Sequence, residues 1–412
     1  MKKKLIIFII IMLMSLLFIG TGVSLVQKVI LGRVAQPYNT FKFQVVYAAP
    51  GTFTLPINTG GAGYVHNFTV NWGDGTPDST VTSFDDPDRI HTYAGAGTYD
   101  ITMTGVCEWF GFNNAGDKTK ITKLLDFSGD IGFKGLNFTG CSNLTTIIPL
   151  GRKLALTYVS NLFRQTGITS VPSGLFDGCP NLTLCAGVFG NMVGPSTVPA
   201  DLFRYNTLVT SFAGLFTSCT GLTVIPDDLF KYNPLVTSFG GMGNGLFANC
   251  QLLTSIPVDL FRYNTQVKGF AGVFRGCTGL TSIPINLFRY NTLATSFMGA
   301  FSGCIGITSI PVDLFRYNTL VTIFGGVSQQ EEGVFSGCSG ITSVLDPNIF
   351  LNNLVAANFG NAFLGCLNMT GLGQPIIDNT ALPGHSTPTI TAGCFGGCVG
   401  LTDYATIPAG WK

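Results

Sequence analysis

Apolar positions follow two regimes along the chain. Between Phe41 and Met103 they alternate, in FKFQVVY (41–47), Phe68-Thr69-Val70-Asn71-Trp72 and Thr98-Tyr99-Asp100-Ile101-Thr102-Met103. A period of two bounded by Gly, Pro and Asp predicts half-buried strands. Gly73-Asp74-Gly75 predicts a tight turn, because both residue types tolerate left-handed backbone. Beyond residue 140 the period lengthens. Ile256–Ser282 reads IPVDLFRYNTQVKGFAGVFRGCTGLTS and returns at Ile283–Ser309 as IPINLFRYNTLATSFMGAFSGCIGITS, with an earlier copy opening at Val198. One unit spelled again and again predicts a solenoid rather than a pocketed globule.

Within a unit two apolar runs stand out, Leu280-Thr281-Ser282-Ile283 and Leu293-Ala294-Thr295-Ser296-Phe297. Both are too short for helices and suit strands stacked in parallel. LFRYN and MGAFSGC between them predict tight turns. Pro172, Pro199, Pro226, Pro257, Pro284 and Pro311 lie 27, 27, 31, 27 and 27 residues apart. GGMGNG (240–245) lengthens one unit and VSQQEEG (327–333) the next but two. Both insertions fall between the second run's Phe and the following Leu-Phe or Val-Phe, so both are expected on one edge.

The repeats align residues into columns. Phe203, Phe230, Phe261, Phe288, Phe315 and Phe350 form one; Phe212, Phe239, Phe270, Phe297, Phe324 and Phe359 form another. Both are read as core, each buried ring contributing roughly 1.5–3 kcal/mol. Asn206, Asn233, Asn264, Asn291, Asn318 and Asn353 are read as structural, bonding turn backbone that the coil leaves unpaired. Nine of the 12 cysteines form a column: Cys141, Cys179, Cys219, Cys250, Cys277, Cys304, Cys338, Cys366 and Cys398. Cys179 joins it only through the shared half-repeat Phe-x-x-Cys. Met192 takes the cysteine's place in the Val171 unit, which suits a packed thiol better than half a bridge. Free buried thiols are expected, with Cys394 and Cys398 the pair best placed for a disulfide.

One column suits binding: Arg204-Tyr205, Lys231-Tyr232, Arg262-Tyr263, Arg289-Tyr290 and Arg316-Tyr317. Arg and Tyr are the side chains most used at binding hot spots. The plainer reading is a solvated turn in which each cation meets the Asp three residues earlier (Asp201, Asp259, Asp313) while Tyr covers the core edge. The functional reading is a ladder that grips an extended glycan or peptide.

Composition narrows the class. Charged residues make up only 10% of the 412, against 53 Gly and 34 Phe. Lys2–Lys4 precede an uncharged run, Leu5 to Val26, which fits both a cleaved signal peptide and a retained anchor. The three lysines place that end in the cytoplasm and the body outside. Residues 1–40 hold five of the 22 basic residues and no acid, leaving 17 basic against 21 acidic. So faintly acidic a body argues against a nucleic-acid partner. Asp74, Asp78, Asp85, Asp86 and Asp88 have no calcium-loop spacing and are read as turn formers. No CxxC pair and only His66, His91 and His385 argue against a metal, and no cofactor motif is found.

FTVNWGDGT followed by HTYAGAGTYDITMTG resembles the PKD-type immunoglobulin-like module, which implies a spacer with Trp72 and Tyr99 in its core. The order WGDGT, HTYAGAGTYDIT, NNAGDKTKI, GDIGF and FTGCSNLT resembles BspA-like leucine-rich-repeat surface proteins, from about residue 40 to the end. Together these readings predict a mainly β chain. Residues 1–36 form a signal peptide or anchor and 40–105 a PKD-like β-sandwich. A bridge and solenoid cap (106–140, with Lys118, Lys120 and Lys123) leads into a leucine-rich-repeat solenoid (141–412). No nucleophile–base pair or phosphate loop is present, and Glu331-Glu332 is read as a flexible acidic loop. The expected function is an exported, non-catalytic adhesion protein at the cell surface. Its partner would be an extracellular protein or glycan, with a membrane contact through the N-terminal helix if that is uncleaved. A self-associating subunit of a surface or virion-associated appendage, with Trp411 at the end of its stack, is the first alternative. A solenoid polysaccharide-cleaving enzyme is the second.

Overall fold

A computed structural model describes residues 40–412 apart from 59–62, 128, 130, 152–153, 242–244, 327–331, 345 and 381–382. The described residues all belong to one unit, Asn39–Lys412. The targeting segment read at 1–36 lies outside them, and no helix among them is long and apolar enough to cross a membrane.

The alternating stretches become strands. β1 (Thr40–Tyr47), β3 (His66–Asn71), β4 (Ser79–Val81), β6 (Gly97–Cys107) and β8 (Ile121–Asp126) form a sheet in the order β4-β3-β6-β1-β8. β2 (Gly51–Thr54) and β5 (Ile90–Tyr93) pair as a second sheet. Aromatic rings fill the space between, Phe43 meeting Phe53 at 5.9 Å and Tyr47 meeting Tyr93 at 5.0 Å. Trp72 is buried as expected, its Nε1 donating to Ser79 Oγ at 2.9 Å. Tyr99 is only partly buried; Tyr93, stacked on it at 4.0 Å, is the core residue and donates its hydroxyl to the Trp72 carbonyl.

The aspartates hold turns. Asp74 accepts from the Thr76 amide and hydroxyl and pairs with His91 Nε2 at 2.7 Å. Asp86 accepts from the Thr82 and Asp88 amides, and Asp78 from Asn71 Nδ2. Gly73, at φ +80°, lies where a Cβ would come 2.6 Å from the Asp100 carbonyl oxygen, so the turn admits no side chain there.

β8 belongs to two structures at once. One edge pairs antiparallel with β1. The other bridges in parallel from Lys123 to Thr146, and the Leu124 amide donates to the Thr146 carbonyl. The first coil therefore inherits a covered edge. β7 (Trp109–Gly111) and β9 (Gly135–Asn137) pair in parallel, and Phe110 meets Phe138 at 5.9 Å, so core runs from the sheets into the coils.

Each later coil has two unlike halves. In one, peptide groups pair between coils: Phe270, Gly272, Phe274 and Gly276 donate to Ser296, Met298, Ala300 and Ser302. Single-residue parallel bridges run from Ser211 through Ser238, Gly269, Ser296, Ile323 and Asn358 to Ile390. The second apolar run thus pairs as expected, though over one residue per coil. The first does not become a strand at Leu280–Ile283. Leu280 and Ile283 point inward while Thr281 and Ser282 are both exposed, a period of three that a pleated strand lacks. The rest of that half closes on itself in i→i+3 turns, Leu287 to Pro284, Arg289 to Asn286 and Asn291 to Phe288.

Asparagine ties that half to its neighbour. Asn291 Nδ2 donates to the carbonyls of Phe261 and Asn264 in the preceding coil, at 3.0 and 2.9 Å. Asn206, Asn233, Asn264, Asn318 and Asn353 repeat the arrangement, and all six are buried. The two expected phenylalanine columns interleave, with Phe288 4.6 Å from Phe297 and Phe297 4.8 Å from Phe315. A third column runs longest, from Phe138 through Phe163, Phe189, Phe216, Phe247, Phe274, Phe301, Phe335 and Phe363 to Phe395. These buried Asn and Phe ladders make the stack a solenoid of the leucine-rich-repeat type.

The cysteines form a thiol ladder. Sγ of Cys219, Cys250, Cys277 and Cys304 donates to the carbonyl of Phe189, Phe216, Phe247 and Phe274 respectively, at 2.9–3.1 Å. Two expectations need correction. Cys179 heads the asparagine column instead, its carbonyl accepting from Asn206 Nδ2 at 2.7 Å; Thr166 and Met192 fill the thiol position in the intervening coils. Cys394 and Cys398 are not bridged: all twelve cysteines are free and buried. Burial pushes the Cys304 thiol up to about 12.

Glu332 overturns the flexible-loop reading. Its carboxylate meets Arg275 Nε and Nη2, both at 2.5 Å, and the Ser302 hydroxyl of the coil between. Glu331 lies outside the described residues. At the far end, Lys412 and Trp411 carbonyls accept from the Gly393 and Phe395 amides, and the Trp411 ring packs 6.3 Å from Phe395. A short helix, α1 (Gln374–Thr380), replaces the Leu-Phe turn there, with the amides of Gly373 and Gln374 donating to Asp403.

Three outcomes follow. Asn264→Ala removes two hydrogen bonds to buried carbonyls, each of which keeps one turn amide, and should cost about 1–3 kcal/mol, whereas exposed Thr265→Ala should change stability by under about 0.5 kcal/mol. Amide exchange in the Phe230 and Phe261 coils resolves this better than one melting curve, because repeat arrays need not unfold as a single unit. Iodoacetamide at pH 8 should leave the native protein unlabelled, and denaturation without reductant should yield twelve adducts; ten would mean a disulfide. The Arg275 hydrogen bond holds the Glu332 carboxyl below its ordinary 4.5. A depressed acid stabilises fully above its unfolded value and loses that contribution as pH falls through the folded one. The protection factor of the Val334 amide should therefore be flat from pH 7 to about 4.5 and fall below it, and Glu332→Gln should remove the step.

Candidate ligand-binding edge

The tight turn that closes one half of each coil decides what faces solvent. In Leu260-Phe261-Arg262-Tyr263-Asn264 the ring and the amide point inward, and the two residues between them must point out. The five expected pairs all occupy this place, and Tyr205, Tyr232, Tyr263, Tyr290 and Tyr317 are 37–51% exposed. At that exposure about half or more of each residue is still covered, so the tyrosines lie between the turn and solvent. Asp177 and Gly178 stand in the pair's place one coil earlier, and Leu351 and Asn352 one coil later, which bounds the edge to five coils.

Cations and rings alternate along it. Lys231 lies 5.9 Å from the Tyr232 ring centre and 5.7 Å from that of Tyr263. Arg262 lies 5.6 and 5.5 Å from Tyr263 and Tyr290, and Arg289 lies 5.7 and 5.5 Å from Tyr290 and Tyr317. Arg204 over Tyr205 and Arg316 over Tyr317 complete the set at 4.5 and 5.8 Å. Each ring from Tyr263 to Tyr317 thus sits between two cations and draws both, by about 0.5–1 kcal/mol at an exposed site.

Carboxylates three residues earlier neutralise most of the cations, as expected. Arg204 meets Asp201 at 3.8 Å and also Asp177 of the previous coil at 3.3 Å. Lys231 meets Asp228 at 3.0 Å, which raises its pKa, and Arg262–Asp259 and Arg316–Asp313 are 3.5 Å apart. Arg289 differs: Asn286 stands in the acid's place, and Arg289 has no carboxylate within 4 Å among the described residues. A second exposed column on the same turns, Val258, Ile285 and Val312, was not singled out from the sequence. Aligning the units on their prolines shows both, as VD, IN and VD before LFRY.

Asp201, Asp228, Asp259 and Asp313 each face a cation of their own turn, and no group of three His, Cys, Asp or Glu is placed to hold a metal among the described residues. What the edge offers is a row of rings, cations and aliphatic side chains repeated once per coil.

No family model and no curated protein matches the chain. Among solved structures it is similar to a chain of the Toll–Spatzle complex of Drosophila, at 16% identity over 63% of this chain and 40% of that one, with a TM-score of 0.27. It is similar also to a chain of the TLR13–ssRNA13 complex, at 12% identity over 66% of this chain and 45% of that one, with a TM-score of 0.24. This chain spans less than half the length of either, and at TM-scores this low nothing about its ligand is taken from them.

Proposed function

We propose that the chain is an exported, non-catalytic binding protein of a cell surface, and that the Arg/Tyr edge holds an extended ligand, glycan or peptide. The carrying observation is the unbroken alternation of cation and ring from Lys231 to Tyr317. Tyr and Arg bring large contact areas at low entropic cost, and the row fixes them in place before a ligand arrives. The basic, apolar N-terminus supports export and an outside location for residues 40–412. On this reading 40–105 is the PKD-like spacer, 106–140 the bridge and 141–412 the BspA-like recognition surface.

The two alternatives fare less well against particular contacts. End-to-end growth of an appendage needs free peptide groups on the last coil, and Lys412 and Trp411 take those of Gly393 and Phe395. A lyase or hydrolase needs acids set apart from the repeat, and Glu332 is bound to Arg275.

The test is an array of glycans and extracellular matrix proteins probed with the full chain. Replacing Arg262, Tyr263, Arg289 and Tyr290 with Ala should weaken any hit by at least about a hundredfold, as the loss of two hot-spot residues would. Melting should barely move, since exposed ion pairs contribute only about 0–1 kcal/mol each. Undiminished binding by this variant discards the edge as the site.

A further inference from the structure

The ladder is regular except in one coil, and there the irregularity is chemical. Asp259 and Asp313 hold the cations of the coils on either side at 3.5 Å, while Asn286 leaves Arg289 without a carboxylate among the described residues. Arg289 is nonetheless held, lying between the Tyr290 and Tyr317 rings at 5.7 and 5.5 Å. A fixed guanidinium lacking an acid is a ready seat for one from outside, because charge-assisted contacts to carboxylates are about twice as strong as neutral ones.

The same three coils carry the aliphatic column. Val258, Ile285 and Val312 are 54, 47 and 37% exposed, and the equivalent residues of the three preceding coils are Ser173, Ala200 and Asp227. At the position after the proline, Val and Ile therefore appear only in the coil of the unneutralised arginine and its two neighbours. A glycan has no use for such a column beside its charged group, whereas a polypeptide presents an acid flanked by aliphatic residues readily. Two neighbouring carboxylates also disfavour a polyanion: with Arg262 and Arg316 already paired, this stretch has one positive charge to spare.

We propose that the coil Ile283–Phe297 is the anchoring point of the edge, and that its ligand is an extended peptide with one acidic side chain, seated on Arg289, between aliphatic residues lying on Val258, Ile285 and Val312. The inference rests on the edge being the binding surface and names what it takes.

The probe is an array of immobilised extended peptides in which one glutamate lies between valines, with glutamine in its place as control. Uronate and sulfated oligosaccharides are spotted alongside. The full chain should prefer the glutamate peptides by about tenfold or more, the scale of one charge-assisted contact. Asn286→Asp gives this coil the acid its neighbours already carry, so the fold accepts it, and it should erase the preference. Asp259→Asn frees a second arginine and should favour peptides with two acids. Equal binding of glutamate and glutamine peptides, a preference that survives Asn286→Asp, binding to acidic oligosaccharides alone, or no peptide binding at all would each overturn the proposal. The fourfold alanine variant of the edge separates the two levels. If it keeps its ligand, the edge itself is wrong. If it loses the ligand while Asn286→Asp changes nothing, only the anchoring coil is wrong.

Discussion

The stack depends on a buried amide. In the turn half of each coil the backbone closes its hydrogen bonds locally, which gives the carbonyls of the Phe and the Asn one i→i+3 amide each, at 3.0–3.4 Å, and leaves a second lone pair facing the next coil. Each hydrogen bond made to those second sites contributes about 0.5–1.5 kcal/mol. The two N–H groups of the next coil's Asn answer both at once, as Asn264 does for Phe230 and Asn233. Aspartate has no donor to give. The cost is visible too: the Oδ1 atoms of Asn206, Asn233, Asn264, Asn291, Asn318 and Asn353 are buried without a partner. One acceptor is left without a partner while two hydrogen bonds are made between coils, six times over.

That amide also decides where the binding edge lies. With Asn fixed inward and the Phe three residues before it fixed in the ring columns, the two residues between have only the outside left. The thiol ladder repeats the logic with a weaker donor on the other half, where peptide groups already pair and less is asked of the side chain. It accordingly tolerates Thr166 and Met192 in its line, the latter beside an apolar cavity of about 10 Å³, whereas the asparagine line runs unbroken from Asn206 to Asn353.

What could be read from the sequence was whatever depends on register alone. The period fixed which residues share a column, and the inward roles of Phe261 or Asn264 and the ion pair of Arg262 with Asp259 follow from spacing within one unit. What depends on offsets between unlike halves was less legible. The two half-repeats resemble each other, so Phe-x-x-Cys at Phe176 reads like the thiol column although Asn206 places it in the other. LTSI has the composition of a strand, yet both its hydroxyl residues face out. The partnership of Glu332 with Arg275 spans a whole intervening coil and leaves no trace in local spacing. Asn286, by contrast, was visible in the alignment of units and stood out only once its neighbours' acids were seen holding their arginines.

A row of like charges one coil apart should repel itself, and this one does not have to, because an aromatic ring lies between each successive pair from Lys231 to Arg316 and a carboxylate flanks nearly every member. Neutralised in this way, the ladder is a stiff and uniform surface. Uniformity gives contact area and tolerance of sliding, but no preference for one register over another, since every coil offers a ligand the same thing. Discrimination has to come from where the repeat is broken while the geometry is kept. A single acid-to-amide exchange at residue 286 meets that condition: it moves no backbone, disturbs neither ring, and changes the charge of one coil among five.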